Sequence, residues 1–261
     1  MEIAGYTASL FIGVVLGLIG GGGSILTLPV LVYLFAISPA SAVSYSLFIV
    51  GTTSLAGAYN SYRKGLVDLK TVLLFGSSSI ITVFIARKFI IPLLPDVFFQ
   101  IGSFAVTHSI FVMLLFAILM LAASVSMIRS RKVAAAENTK VKKWVPVVYG
   151  VLLGLVTGFL GAGGGFLLIP ALVIFMKLPM KKAIGTSLLI IALNSLIGFS
   201  GDIGRNPIDW KFITTVSALA IAGIFIGGYF NQKINSDKLK KGFGWFVLVM
   251  GIYIIVKELV L

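Results

Sequence analysis

The sequence predicts an all-α polytopic membrane protein of two inverted-topology repeats, each a glycine-broken re-entrant hairpin followed by three transmembrane helices. Three observations carry that prediction. Hydrophobic residues make up 59% of the chain and charged residues only 11%, against roughly a quarter charged in soluble domains. The stretch Gly20-Gly21-Gly22-Gly23-Ser24, with Pro29 beyond it, returns as Gly161-Ala162-Gly163-Gly164-Gly165 with Pro170. The lysines and arginines, finally, can be gathered on one side of a membrane by one folding pattern and not by the other.

In chain order, residues 5–19 and 25–37 are apolar arms around the first glycine stretch, and 42–60, 67–86 and 105–128 are full-length helices. Such runs of about 20 residues span a hydrocarbon core of about 30 Å. Arg87–Pro95 reads as a basic, proline-bearing surface segment. The polar stretch 129–143 carries six basic residues and separates repeat 1 (1–128) from repeat 2 (144–261). Arms then recur at 145–160 and 166–176, and helices at 183–200, 212–231 and 242–256. Met1-Glu2-Ile3 lacks the basic region and cleavage site of a secretory signal, so the first apolar run is expected to stay in the protein. Zero cysteines remove disulfide, thiolate-zinc and iron–sulfur chemistry. A net charge of +13 invites a nucleic-acid partner, but the basic residues sit in short loops between apolar runs, so none is expected.

The duplication is legible residue by residue. An offset of 141 aligns Gly13–Gly57 with Gly154–Gly198 without a gap, and 17 of the 45 positions are identical. If each broken run crosses the membrane once, 12 of the 21 lysines and arginines lie inside; if each is a hairpin returning to its own side, 16 do. The positive-inside rule selects the hairpins, with stretch 129–143 cytoplasmic and both termini outside the plasma (inner) membrane. Length agrees, because one helix over 5–37 would be about 50 Å long at 1.5 Å per residue.

Hairpin turns inside a bilayer must be buried in protein or face a polar cavity. The arm after each turn starts near Ser24 and Gly165, and its first N–H groups carry the positive end of the helix dipole. Two such starts facing one cavity form an anion site without a basic side chain. Glycine admits the ligand to the backbone, and Ser24 can cap its helix or donate its hydroxyl. Gly13/Gly17, Gly150/Gly154/Gly158 and Gly223/Gly227 read instead as helix-packing positions. Neither glycine run is followed by the Lys-Ser or Lys-Thr of a P-loop.

The segments Gly17-Leu-Ile-Gly-Gly-Gly-Gly-Ser-Ile-Leu-Thr-Leu-Pro29 and Gly158-Phe-Leu-Gly-Ala-Gly-Gly-Gly-Phe-Leu-Leu-Ile-Pro170 resemble the sulfite exporter TauE/SafE family of bacterial and archaeal membrane proteins. Ala183-Ile-Gly-Thr-Ser187, Gly198 and the basic central stretch support the resemblance, which covers essentially the whole chain. It implies transport, usually export, of small sulfur-containing anions such as sulfite, sulfonates or sulfoacetate-like organic acids.

Ser44, Tyr45, Ser46, Thr52, Thr53 and Ser54 in repeat 1, and Thr186, Ser187, Asn194 and Ser195 in repeat 2, are polar at membrane depth. Ser46, Thr53, Ser187, Asn194 and Ser195 join the glycine turns as candidate substrate ligands, Asn194 being costliest to leave unpaired. Their bland role would be back-bonding to their own helix or bridging to a neighbour. All eight acidic residues fall at ends or in loops, which argues against a buried proton-relay or sodium-site carboxylate and suits an anion. His108, Trp144, Trp210, Tyr62 and Tyr253 suit membrane interfaces. The expectation is a secondary transporter working by alternating access around a midplane anion site, with no cofactor or metal, as a monomer or homodimer. The competing readings are a passive anion channel and a non-transporting assembly subunit; no nucleophile–base pair suggests an enzyme.

Overall fold

Uninterrupted apolar sequence with small residues at intervals yields long helices that can approach closely, and helices make up most of the described residues. The computed structural model describes residues 2–95, 97–101, 104–129, 144–161, 164–204, 207–230 and 236–260. Helix α1 (Glu2–Ile19) leads through Gly20 into α2 (Gly21–Leu34), which begins as a 3₁₀ turn and ends in π-helical geometry beyond Pro29. Then follow α3 (Pro39–Arg63), α4 (Leu69–Leu93), a β1–β2 hairpin (Val97–Ile101 and Phe104–Thr107), and α5 (His108–Ile128). The second half holds α6 (Trp144–Leu160), α7 (Gly165–Phe175), α8 (Met180–Ser200), α9 (Trp210–Phe230) and α10 (Ser236–Val260).

Among the described residues six helices are long and apolar enough to cross a membrane: α3, α4, α5, α8, α9 and most of α10. The chain is a multi-pass membrane protein. Helices α1, α2, α6 and α7 are the shorter ones, and they are the arms on either side of the two glycine turns.

Packing is reciprocal between the halves. Helix α1 lies on α9 while α6 lies on α4; α3 also meets α9 while α8 meets α4; α3 pairs with α8, α5 with α10, and α2 with α7. The small residues set these approaches. Gly13 of α1 sits against the Ala220 backbone, and at the offset positions Gly154 of α6 sits against Ser79, whose carbonyl would lie 2.6 Å from an added Cβ. Gly17 and Gly158 face Ile224 and Val83 in the same register. Backbones this close exclude any side chain between them.

Helices α2 and α7 also end alike. Ala36 and Lys177, 141 positions apart, both adopt left-handed φ values of 54° and 53°. The next N–H groups, of Ile37 and Leu178, reach back to Leu31 and Leu172 carbonyls at 3.1 and 3.3 Å. These are Schellman caps, which satisfy carbonyls that a helix end leaves over.

Two expectations are corrected. Arg87–Pro95 is not a surface segment: α4 runs on to Leu93 and buries Arg87 at 5% exposure. The apolar helical pattern continues through Ile85, Ala86, Phe89 and Ile90, and Asp202 neutralises the arginine. Asp202 lies in the turn after α8, a loop position as expected, and is buried there with the arginine. Residues 105–107 belong to β2 rather than to a helix, because the Thr107 hydroxyl accepts from the Ile110 N–H at 3.3 Å and caps α5 from there.

Candidate functional site

Each glycine stretch opens with a backbone step that a side chain could not follow. Gly20 at φ 78° and Gly161 at φ 65° occupy equivalent positions in the left-handed region. Gly20 packs on Ile184, and Gly161 on Val43, the residue that the offset pairs with Ile184. An added Cβ would come within 2.8 Å of the Ile184 side chain in one case and 2.5 Å of the Val43 carbonyl oxygen in the other. Gly164, at φ 61°, makes a second left-handed step before α7.

The two turns touch. A Cβ on Gly21 would lie 2.7 Å from Gly165 Cα, and both glycines abut the tip of Ile191 on α8. The first bond of α2 runs from the Gly23 N–H to the Gly20 carbonyl at 3.3 Å. That of α7 runs from the Leu167 N–H to the Gly164 carbonyl at 3.1 Å. The N–H groups of Gly21, Gly22, Gly165 and Phe166 therefore precede any bond inside their own helices. Gly22 is the most open: a Cβ there would approach only Ile19, at 3.2 Å. Gly23 lies tight against the Leu16 backbone. Ala162 and Gly163 lie outside the described residues.

The candidate side chains divide by partner. The Ser24 hydroxyl donates to the Gly21 carbonyl at 2.8 Å and steadies its own turn. Ser46 of α3 donates to the Gly161 carbonyl at 2.9 Å, fastening the second turn to repeat 1. Ser187 bonds back to the Ile184 carbonyl at 2.8 Å, within its own helix. Asn194 donates from Nδ2 to Ser79 Oγ at 2.7 Å and ties α8 to α4. Asn194 Oδ1 and the hydroxyls of Thr53, Ser54 and Ser195 are buried and have no hydrogen-bond partner. Thr53 and Asn194 are repeat mates, as are Ser54 and Ser195, so the unsatisfied atoms sit at matched places on the α3–α8 pair.

Sequence reasoning missed three residues here. The Thr157 hydroxyl is buried without a partner and lies against Gly164, where an added Cβ would be 2.5 Å from it. Ser79 reads as one more helical serine until the fold brings Asn194 to it. Arg87 lines a cavity of about 230 Å³ whose walls include Val43, Ser44, Tyr45, Phe159 and Asp202. Its one signal was the apolar pattern that resumes at Phe89 beyond Arg87 and Lys88, which made it a cation inside a helix rather than beside one. Val43, which packs on Gly161, places this cavity next to the second glycine turn.

Comparison with known proteins agrees with this architecture. Residues 6–254 match the family described as Sulfite exporter TauE/SafE. A probable membrane transporter protein of Xylella fastidiosa is 29% identical over 251 residues, covering 94% of this chain and 91% of its own. The probable membrane transporter protein YunE of Bacillus subtilis is 29% identical over 270 residues, covering 94% of this chain and 92% of its own. MJ0441 of Methanocaldococcus jannaschii, also a probable membrane transporter protein, is 25% identical over 267 residues, with 94% of both chains covered. No solved structure matches.

Proposed function

The chain belongs to the sulfite exporter TauE/SafE family of membrane transporters, and from that premise we propose that it moves small sulfur-containing anions by alternating access. Sulfite, sulfonates and sulfoacetate-like acids are the substrate class, and export across the plasma membrane is the direction. The reading rests on one observation: two bare glycine turns meet at Gly21 and Gly165, each opening a helix whose first N–H groups precede its own bonds.

An oxyanion of sulfur offers several acceptor oxygens on a compact tripod. Backbone N–H groups of Gly21, Gly22, Gly165 and Phe166 can turn to it, and the positive ends of both helix dipoles favour its charge. Buried hydroxyls want an acceptor, and leaving one unpaired costs about 1–3 kcal/mol. Thr53, Ser54, Thr157 and Ser195 would find that acceptor in the anion. Asn194 can serve as well, since turning its amide over lets Ser79 donate to Oδ1 and frees Nδ2 for the substrate. The reciprocal packing of α1 on α9 and α6 on α4 suits two inverted repeats that rock against each other.

Counterflow in proteoliposomes tests the proposal. Unlabelled sulfite or methanesulfonate inside the vesicles is expected to accelerate uptake of labelled sulfite, with saturation. Gly21→Ala and Gly165→Ala, each forcing the turns apart, are expected to remove that uptake while Gly242→Ala, at a helical glycine with open space around it, keeps it. Flux without trans-acceleration would mean a channel, and no flux at all would remove the transport reading.

A further inference from the structure

We propose that Arg87 is an additional anion-binding residue of this transporter, and that Asp202 holds its guanidinium in the anion's place when the cavity is empty of substrate. The inference rests on the anion reading above. Both side chains are 5–6% exposed and form an ion pair inside the cavity. Arg87 Nη2 also donates to Ser44 Oγ at 2.8 Å, and Ser44 donates to the same Asp202 Oδ2 that Arg87 holds. Arg87 Nη1 donates to the Gly158 carbonyl at 3.3 Å, three residues before the second glycine turn.

Four chain segments converge here: α3 and α4 from the first half, the end of α6 and the turn after α8 from the second. A buried ion pair contributes little net stability once desolvation is counted, so stability alone does not explain its placement. The repeat makes the point sharper. The positions matching Arg87, Asp202 and Ser44 in the other half are Gly228, Ser61 and Gly185. A structural strut required by the fold would be expected at both ends, and the opposite end manages without one.

What the cluster does offer is a guanidinium fork facing a cavity. A carboxylate and a sulfur oxyanion present equivalent oxygen edges to such a fork. A substrate anion entering the cavity can therefore take the place of Asp202 on Arg87, with the Ser44 hydroxyl turning to it. That exchange sets the anion beside Val43 and Phe159, next to Gly161, and loosens the link between the halves at this end only.

Direct binding of methanesulfonate to the purified full-length protein, by titration calorimetry, tests this. Arg87→Gln is expected to weaken binding about tenfold or more, the loss of one charge-assisted hydrogen bond. Asp202→Asn is expected to tighten it several-fold, because the internal competitor is gone. A strut without ligand contact predicts otherwise, with Arg87→Gln binding as the wild type does, or Asp202→Asn weakening binding as Arg87→Gln does; either result overturns the proposal. Should the charge variants not fold, Ser41→Cys places a thiol on the cavity wall with the ion pair intact. Methanesulfonate is then expected to slow its alkylation by a maleimide, and an unchanged rate sinks the proposal. Binding to wild type without that protection would remove this inference alone, whereas no binding to wild type would remove the anion reading beneath it.

Discussion

At the residue scale, conformational strain is concentrated in the glycine turns. Gly161 adopts φ 65° with the Val43 carbonyl 2.5 Å from any added Cβ, so Gly161→Ala meets both a steric and a backbone penalty. The left-handed conformation alone costs an L-residue roughly 1–2 kcal/mol. Asn194 raises a different question, because its amide is bonded on one side and bare on the other. Asn194→Leu strands the Ser79 hydroxyl in the core, at a cost of about 1–3 kcal/mol. Differential scanning fluorimetry in detergent is expected to show stabilisation of the wild type by sulfite, and for Asn194→Leu a lower melting temperature and no such stabilisation. Retained sulfite stabilisation would place Asn194 outside the site. The sequence pointed to Asn194 because an amide in an apolar helix is expensive to leave alone. It could not show Ser79 beside Asn194 or Thr157 against Gly164, since those contacts join helices 115 residues apart or a turn whose shape is tertiary.

Helix ends and helix spacing carry the element scale. The chain stops α2 with Ala36 and α7 with Lys177, each in a conformation that glycine holds at less cost. Ala36→Gly is expected to stabilise the protein by about 0.5–1 kcal/mol, the relief of strain less glycine's added unfolded-state entropy. Chemical denaturation followed by tryptophan fluorescence measures it, and a destabilised variant would refute the account. The close helix pairs respond in the opposite sense: Gly154→Val forces α6 from Ser79 on α4 and is expected to lower thermal stability markedly. Helices were legible in the sequence because apolar runs longer than a bilayer have few alternatives to helix. Their ends were less so. The end of α4 was placed too early because Arg87 and Lys88 look like an interface when the acid that meets one of them is 115 residues away.

For the whole molecule, orientation is the open prediction, and the absence of cysteine makes it easy to test. Ile203→Cys, exposed after α8, is expected to react with a membrane-impermeant maleimide on intact cells, whereas Ala134→Cys reacts only after permeabilisation. The reverse pattern would invert the topology. Composition alone determined that this chain lives in a membrane, and its glycine runs at a fixed offset marked two places where helices must break. Those are local properties: hydropathy and glycine's missing side chain act wherever they occur in the chain. Only the tertiary structure decided that Gly21 and Gly165 meet, that α1 lies on α9 while α6 lies on α4, and that Arg87 is buried against Asp202. A charge's environment depends on what packs against it from elsewhere in the chain, and no linear pattern records which distant acid or carbonyl that will be.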